Sequence, residues 1–165
     1  MTKPAIGTLR LVAATDDHFL GMAAGRAPDG LRLPAGGLEA PAIIVMLRVL
    51  AQSVRLQIDP AAWMIVDQDE VVGLCSITKL FPSPGMVEIG YGVVPKHRGR
   101  GVATAAVGAL LALARADERI RTVAAETAVD NLPSQRVLEK NGFVRIGGRI
   151  DPEDGAVFCW QAAAS

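Results

Sequence analysis

From Gly101 to Ala114 the chain carries no charged side chain, and arginines, Arg100 and Arg115, close the run at both ends. The run falls short of the ~20 apolar residues that a membrane-spanning helix needs. A helix that is apolar on every side must instead be covered by the rest of its own domain. The stretch from about Gly101 to Ala116 therefore predicts a buried helix, and the remaining chain has to supply its cover.

The residues just ahead of that helix say what its start can do. Val93-Val94 ends an apolar run and Pro95 breaks it. Lys96-His97-Arg98-Gly99-Arg100-Gly101 then leads into Val102-Ala103-Thr104. A helix start presents N–H groups that lack intrahelical partners, together with the positive end of the dipole. Gly99 and Gly101 keep side chains away from that end. Arg98 and Arg100 add charge suited to bidentate phosphate contacts, and Ala103 keeps the first turn slim. The combination fits a pyrophosphate cradle at a helix N-terminus; taken alone, it is also readable as a basic turn before a core helix. It is not a P-loop, whose Gly-x-x-x-x-Gly-Lys-Ser/Thr is absent. Nor is it a dinucleotide fingerprint, which needs a third glycine where Thr104 stands and an earlier strand.

The rest of the chain reads as alternating elements. Thr8 to Ala14 predicts a strand. Asp16 and Asp17 can cap a short helix to about Ala24. Gly25 to Pro41 is rich in glycine and proline and predicts an irregular loop. Ile43, Leu47, Leu50 and Val54 recur at helical spacing, with Arg48, Gln52 and Arg55 turned away, and Asp59-Pro60 stops that helix. Trp63 to Val66 and Val71 to Leu80 predict strands around an Asp67–Glu70 turn. Met86 to Val94 follows the Phe81–Gly85 turn as a fourth strand, and Thr122 to Val129 alternates as a fifth. Asn131 to Asn141 predicts a short helix, with Gly142 as its left-handed cap. Phe143 to Ile150 and Ala156 to Ala162 predict a closing hairpin. The order is βααβββαβαββ, a mixed α/β domain.

A chain of 165 residues is the size of one domain, 1–165, with a real core. Formal net charge is +0 and the pI about 6.7, so there is no global pull toward nucleic acid or an anionic membrane, and any anion site is local. Few aromatics beside the Lys96–Arg100 cluster argue further against a nucleic-acid module. Cys75 and Cys159 lie in apolar runs and read as small buried hydrophobes in a reducing compartment. No Cys/His spacing suggests a metal. Met1 to Gly7 lacks the apolar stretch of a signal peptide, and the expected location is cytoplasmic.

Arg98-x-x-Gly101-x-Ala103 resembles the Arg/Gln-x-x-Gly-x-Gly/Ala signature of the GCN5-related N-acetyltransferases (GNAT). Glu88-Ile89-Gly90-Tyr91 running into this loop resembles the branch that acetylates ribosomal-protein N-termini. Asn131-Leu132-Pro133-Ser134 with Glu139-Lys140-Asn141-Gly142-Phe143 resembles that branch's second motif. The likeness is close from Met86 to Phe143 and elsewhere rests on the order of elements.

The resemblance implies a single mixed sheet with helices on both sides and a cleft where the fourth and fifth strands split. It implies transfer of an acetyl group from acetyl-coenzyme A to a primary amine, by direct attack in a ternary complex. The coenzyme would lie on the backbone of Val93 and Val94 and on Arg98, Gly99, Arg100, Gly101, Val102, Ala103 and Thr104, with Asn131 touching its arm. Gly90 and Gly92 agree independently, because glycine inside a strand often marks a bulge or a close approach by a ligand. Glu88 is the candidate general base, through water, and Glu126 on the fifth strand is its competitor. Many members carry a tyrosine at the position of Leu138 to protonate the thiolate. It is missing here, and Ser134 matches the serine proposed for that task.

The missing tyrosine keeps a second reading open, a catalytically inactive domain that binds or senses acyl-coenzyme A. The acceptor, whether a small molecule or a peptide N-terminus, is not specified by these motifs, and a homodimer is compatible with the sequence.

Overall fold

The computed structural model describes residues 9–164. Its elements are β1 (Leu9–Ala13), α1 (Asp16–Ala23), α2 (Pro41–Arg55), β2 (Ala62–Asp67), β3 (Glu70–Leu80), β4 (Met86–Val93), α3 (Val102–Ala116), β5 (Thr122–Ala128), α4 (Leu132–Lys140), β6 (Val144–Asp151) and β7 (Gly155–Ala163). A single 3-10 turn, Pro95–His97, joins β4 to the loop before α3. The order is the one the sequence predicts. Thr8 and the Met1–Gly7 segment lie outside the described residues.

One seven-stranded sheet runs β1-β2-β3-β4-β5-β7-β6. Every neighbouring pair is antiparallel except β4 and β5. Alternation along the strands sorts the side chains to two faces. Ile77, Val87, Ile89 and Val123 lie with Leu110 and Ala114 of α3 on one face. Ser76, Thr78, Gly90 and Gly92 lie with Ile43 and Leu47 of α2 on the other. The charge-free helix is covered along one face, where Val102, Ala106, Val107, Leu110, Leu111 and Ala114 are buried, while Ala112 and Leu113 on its outer face are exposed.

Two local expectations need correction. The cap of α1 is Thr15, not Asp16 or Asp17. Its hydroxyl accepts from His18 N while His18 Nδ1 accepts from Thr15 N, a reciprocal capping box. The buried stripe of α2 is Ile44, Ala51 and Val54, about one residue round from the predicted Ile43, Leu47, Leu50 and Val54. Ile43 is 39% exposed. The polar ridge of α2 turns toward α1 and not to solvent: the Asp16 carboxylate on α1 accepts from Gln52 Nε2 at 2.9 Å and from Arg55 Nη2 at 2.6 Å. These bonds hold the Asp16 carboxyl below the usual carboxylate range.

Candidate active site

β4 and β5 are paired only at Met86↔Thr122, Val87↔Val123 and Glu88↔Ala124. Beyond Glu88 the strands run on to Val93 and Ala128 without pairing to each other. The parting leaves a cleft in mid-sheet, with Glu88 at its fork. β4 stays laddered to β3 through Val93. That side is tight: a Cβ on Gly73 would meet Gly92 O at 2.2 Å. The irregularity anticipated on β4 falls instead on β3, where the register shifts between Ile77 and Lys79. A Cβ on Gly92 would meet nothing within 4 Å, so that glycine keeps the floor of the cleft open.

Past β4 the backbone forms the cradle. Gly99 and Gly101 have φ of 76° and 79°, the left-handed region that side chains other than glycine's rarely accept. A Cβ at either would point into open space. Gly101 is the N-cap of α3, and no side chain caps that helix. The first N–H groups of the helix therefore face an open approach, which fits an incoming diphosphate. Val93, Val94 and Val102 are buried, Ala103 and Thr104 half-buried, and Gly99, Arg100 and Gly101 exposed. Arg98 is braced inward, its Nε donating to Val93 O at 2.9 Å. It ties the end of β4 to the loop. His97 Nε2 lies 2.7 Å from Glu70 Oε1, which fastens the 3-10 turn to the start of β3.

Acid–base groups gather on the α2 face. Glu88 is half-buried, with Thr78 Oγ1 at 3.4 Å from its carbonyl and 3.5 Å from Oε2. Burial pushes its carboxyl above the usual range. The Glu126 charge adds to this, and Lys79, Arg149 and Thr78 act against it. Glu126 shares the face but is spoken for: Arg149 grips both oxygens, Nη2 at 2.7 Å from Oε1. That grip holds the Glu126 carboxyl low. Of the two competing carboxylates, Glu88 is thus the one that holds a proton more tightly. Cys75 is buried, its thiol pushed up to about 12 by burial. Cys159 departs from the expected buried site: it is only partly covered, with Sγ 3.5 Å from Glu126 Oε2.

Across the cleft stands α4. Asn131 caps it, Oδ1 accepting from Ser134 N at 3.2 Å. Leu138 is fully buried. Tyr91 and Ser134 share a hydroxyl–hydroxyl hydrogen bond of 2.6 Å. A groove of about 330 Å³ is lined by Leu38, Ile43, Leu47, Ser76, Thr78 and Gly92 among others, and runs to Val94 and Arg98. Of the predicted site residues, Val93, Val94 and Arg98 line this groove together; Glu88 stands at the fork of β4 and β5, Gly99 to Thr104 lie on the loop and first turn of α3, and Ser134 is joined to β4 through Tyr91. The contacts of Thr78, Tyr91 and Arg149 were not anticipated. The Tyr91 and Arg149 contacts join residues far apart in the chain. Among the described residues no cluster of His, Cys, Asp and Glu could hold a metal, and no helix is long and apolar enough to cross a membrane.

Residues 39–144 match the family described as "Acetyltransferase (GNAT) domain". The chain is 32% identical over 85 residues to the ribosomal-protein-serine acetyltransferase of Escherichia coli (strain K12), covering 52% of this chain and 48% of that protein. It is 35% identical over 85 residues to the uncharacterized N-acetyltransferase YjdG of Bacillus subtilis (strain 168), covering 50% and 51%. The aligned part therefore spans about half the length of these curated relatives. Among solved structures, the fold is like that of RimL, a ribosomal L7/L12 alpha-N-protein acetyltransferase solved in complex with coenzyme A. The TM-score is 0.72 at 20% identity, over 94% of each chain.

Proposed function

The chain belongs to the GNAT acetyltransferase family, and on that footing we propose that it moves an acetyl group from acetyl-coenzyme A to a primary amine by direct attack in a ternary complex. The observation that carries this reading is the parting of β4 from β5 just beyond Glu88, with the uncapped, glycine-bearing start of α3 beyond it. An acyl thioester threaded through the parting would have its diphosphate at that helix start. Arg98, Gly99, Arg100, Gly101, Val102, Ala103 and Thr104 would hold it there, with Val93 and Val94 beside the arm and Asn131 across from it. The acceptor would enter along the groove under α2.

The attacking nitrogen must shed a proton, and the departing sulfur must gain one. Glu88 takes the first role, directly or through a water. Burial raises its carboxyl above the ordinary carboxylate range, which makes it a stronger base than a solvated carboxylate. Ser134 takes the second. No covalent intermediate is invoked. Cys75 is buried, and the Cys159 thiol is pushed up by burial and by the adjacent Glu126 carboxylate, which disfavours a thiolate.

Purified protein should release coenzyme A thiol from acetyl-coenzyme A in the presence of at least one member of a panel of peptide N-termini, lysine, amino acids and drug-like amines. In a thermal-shift screen acetyl-coenzyme A should stabilise the fold where ATP and NAD do not. A ligand at ~100 times its Kd adds about 2.7 kcal/mol. An equal shift with ATP or NAD would overturn the site. Binding with no turnover across the panel would favour a sensing domain, the reading that the buried Leu138 keeps in view.

A further inference from the structure

We infer that Tyr91 on β4 is a positioning residue for Ser134, donating its hydroxyl to the serine oxygen so that the serine's own proton is aimed at the departing sulfur. The inference rests on the reading of Ser134 as the acid and extends it to a residue from another element.

The geometry sets up an exchange of positions. Where α4 could carry a tyrosine, Leu138 is packed fully into the core. The chain's sole tyrosine instead stands on β4. Its hydroxyl reaches α4, 2.6 Å from Ser134 Oγ and 3.3 Å from Ser134 O. A serine hydroxyl owns one proton and two lone pairs. Early in a helix that proton is readily lost to a nearby backbone carbonyl. If Tyr91 donates to Oγ, the serine accepts there and keeps its proton for a third partner. Burial raises the Tyr91 phenol above its ordinary value more than the serine bond lowers it. The ring therefore stays protonated, a donor and not a base, throughout the neutral range.

The step then balances. The amine lone pair forms the C–N bond to the acetyl carbon; as the C–S bond breaks, its electron pair goes to sulfur, and the Ser134 hydroxyl proton follows it to give the thiol. The Tyr91 O–H steadies the charge that grows on the serine oxygen, and water returns the proton to Ser134. The proton taken from the amine nitrogen leaves through Glu88. Nothing is oxidised or reduced.

The test uses the full chain with an amine found by the acceptor panel. Tyr91→Phe keeps the ring and removes only the hydroxyl; Ser134→Ala leaves the backbone bond to Asn131 in place. Each should lower kcat by about ten-fold or more while changing the KM for acetyl-coenzyme A by less than about two-fold, as expected for an interaction made only in the transition state. The double variant should be no slower than Ser134→Ala alone, because one residue acts through the other. Multiplying losses would overturn the inference and leave Tyr91 as packing.

A second readout needs no turnover. Tyr91 is the only tyrosine, so the ultraviolet titration of tyrosinate reports that residue alone. Ser134→Ala should move it to higher pH, since once the phenol loses its proton the serine hydroxyl can turn and donate to the tyrosinate. An unmoved titration would break the proposed contact. If Ser134→Ala turns over like the parent, the acid reading of Ser134 falls and the role of Tyr91 with it. If Ser134→Ala is slow and Tyr91→Phe matches the parent, only the present inference fails.

Discussion

The two sides of the cleft are built from different materials. The side running from Val93 to Thr104 is largely backbone: a strand that leaves its neighbour, two glycines at positive φ and an uncapped helix start. The side under α2 is built of side chains drawn from distant segments: Glu88 and Thr78, Glu126 gripped by Arg149, and Ile43 and Leu47 on the helix. A backbone site is fixed once the fold is fixed, so it serves one invariant ligand. A side-chain site can be re-cut without disturbing the sheet, so it is suited to carry the acceptor and the proton chemistry. The division predicts that substitutions will separate binding of the coenzyme from turnover.

The largest separation should come from Glu88→Gln, which keeps the shape and removes the base. Turnover at neutral pH should fall roughly 10²–10⁴-fold, with coenzyme binding by calorimetry unchanged. Raising the pH should restore part of the rate, because the amine then arrives deprotonated. Stability should move the opposite way. The folded carboxyl is raised above its unfolded value, so the fold binds that proton more tightly than the unfolded chain does. Its contribution is full in acid and is lost as the pH climbs through the raised folded value. The Gln variant should therefore melt slightly higher than the parent at neutral pH, with no such gain in acid. Parallel losses in binding and rate would make Glu88 a structural member of β4 and blur the two sides.

On the backbone side, Gly101→Glu should weaken coenzyme binding more than ten-fold, over about 1.4 kcal/mol. The variant places a side chain at φ 79° and a negative charge at the helix start. Its kcat at saturating coenzyme should fall far less than that of Glu88→Gln. Unchanged binding in a folded variant would remove the diphosphate from α3.

The same division explains what could be read from the sequence. The order of elements and the glycine-bearing start of α3 are written locally, in glycines, breaks and apolar periodicity, and the structure has them in place; the parting of β4 from β5 is implied by the family resemblance alone. The side-chain half depends on register. Between Arg145 and Gly147 the β6 ladder slips by one, and a one-residue slip exchanges the faces of everything beyond it. Arg149 comes to stand opposite Val157, two residues before Cys159, the partner of Glu126. It therefore reaches Glu126, a contact that no alternation pattern announces. Tyr91 and Ser134 likewise meet across elements 43 residues apart in the chain. The rotated stripe of α2 is equally non-local, since its polar ridge meets Asp16 on a separate helix.

The smallest effect expected is at Asp16, and it sharpens the comparison because Asp16 lies outside the cleft. Its carboxylate ties α1 to Gln52 and Arg55 of α2, with Arg48 Nε at 3.7 Å, and α2 carries the groove wall. Asp16→Asn removes the charge and keeps the size. Screening by solvent at this partly exposed site limits the loss of stability to roughly 0.5–1 kcal/mol. The sign with pH follows from the lowered folded value. Stability from this carboxylate is present above its unfolded value and is lost as the pH falls through the folded one. Parent and variant should therefore differ in melting temperature at neutral pH and converge in acid. If α2 shapes only the acceptor side, the KM for the amine should rise modestly while the Kd of the coenzyme stays put. A matching rise in coenzyme Kd would mean that the backbone half leans on α2 as well, and that the two sides of the cleft are one mechanical unit.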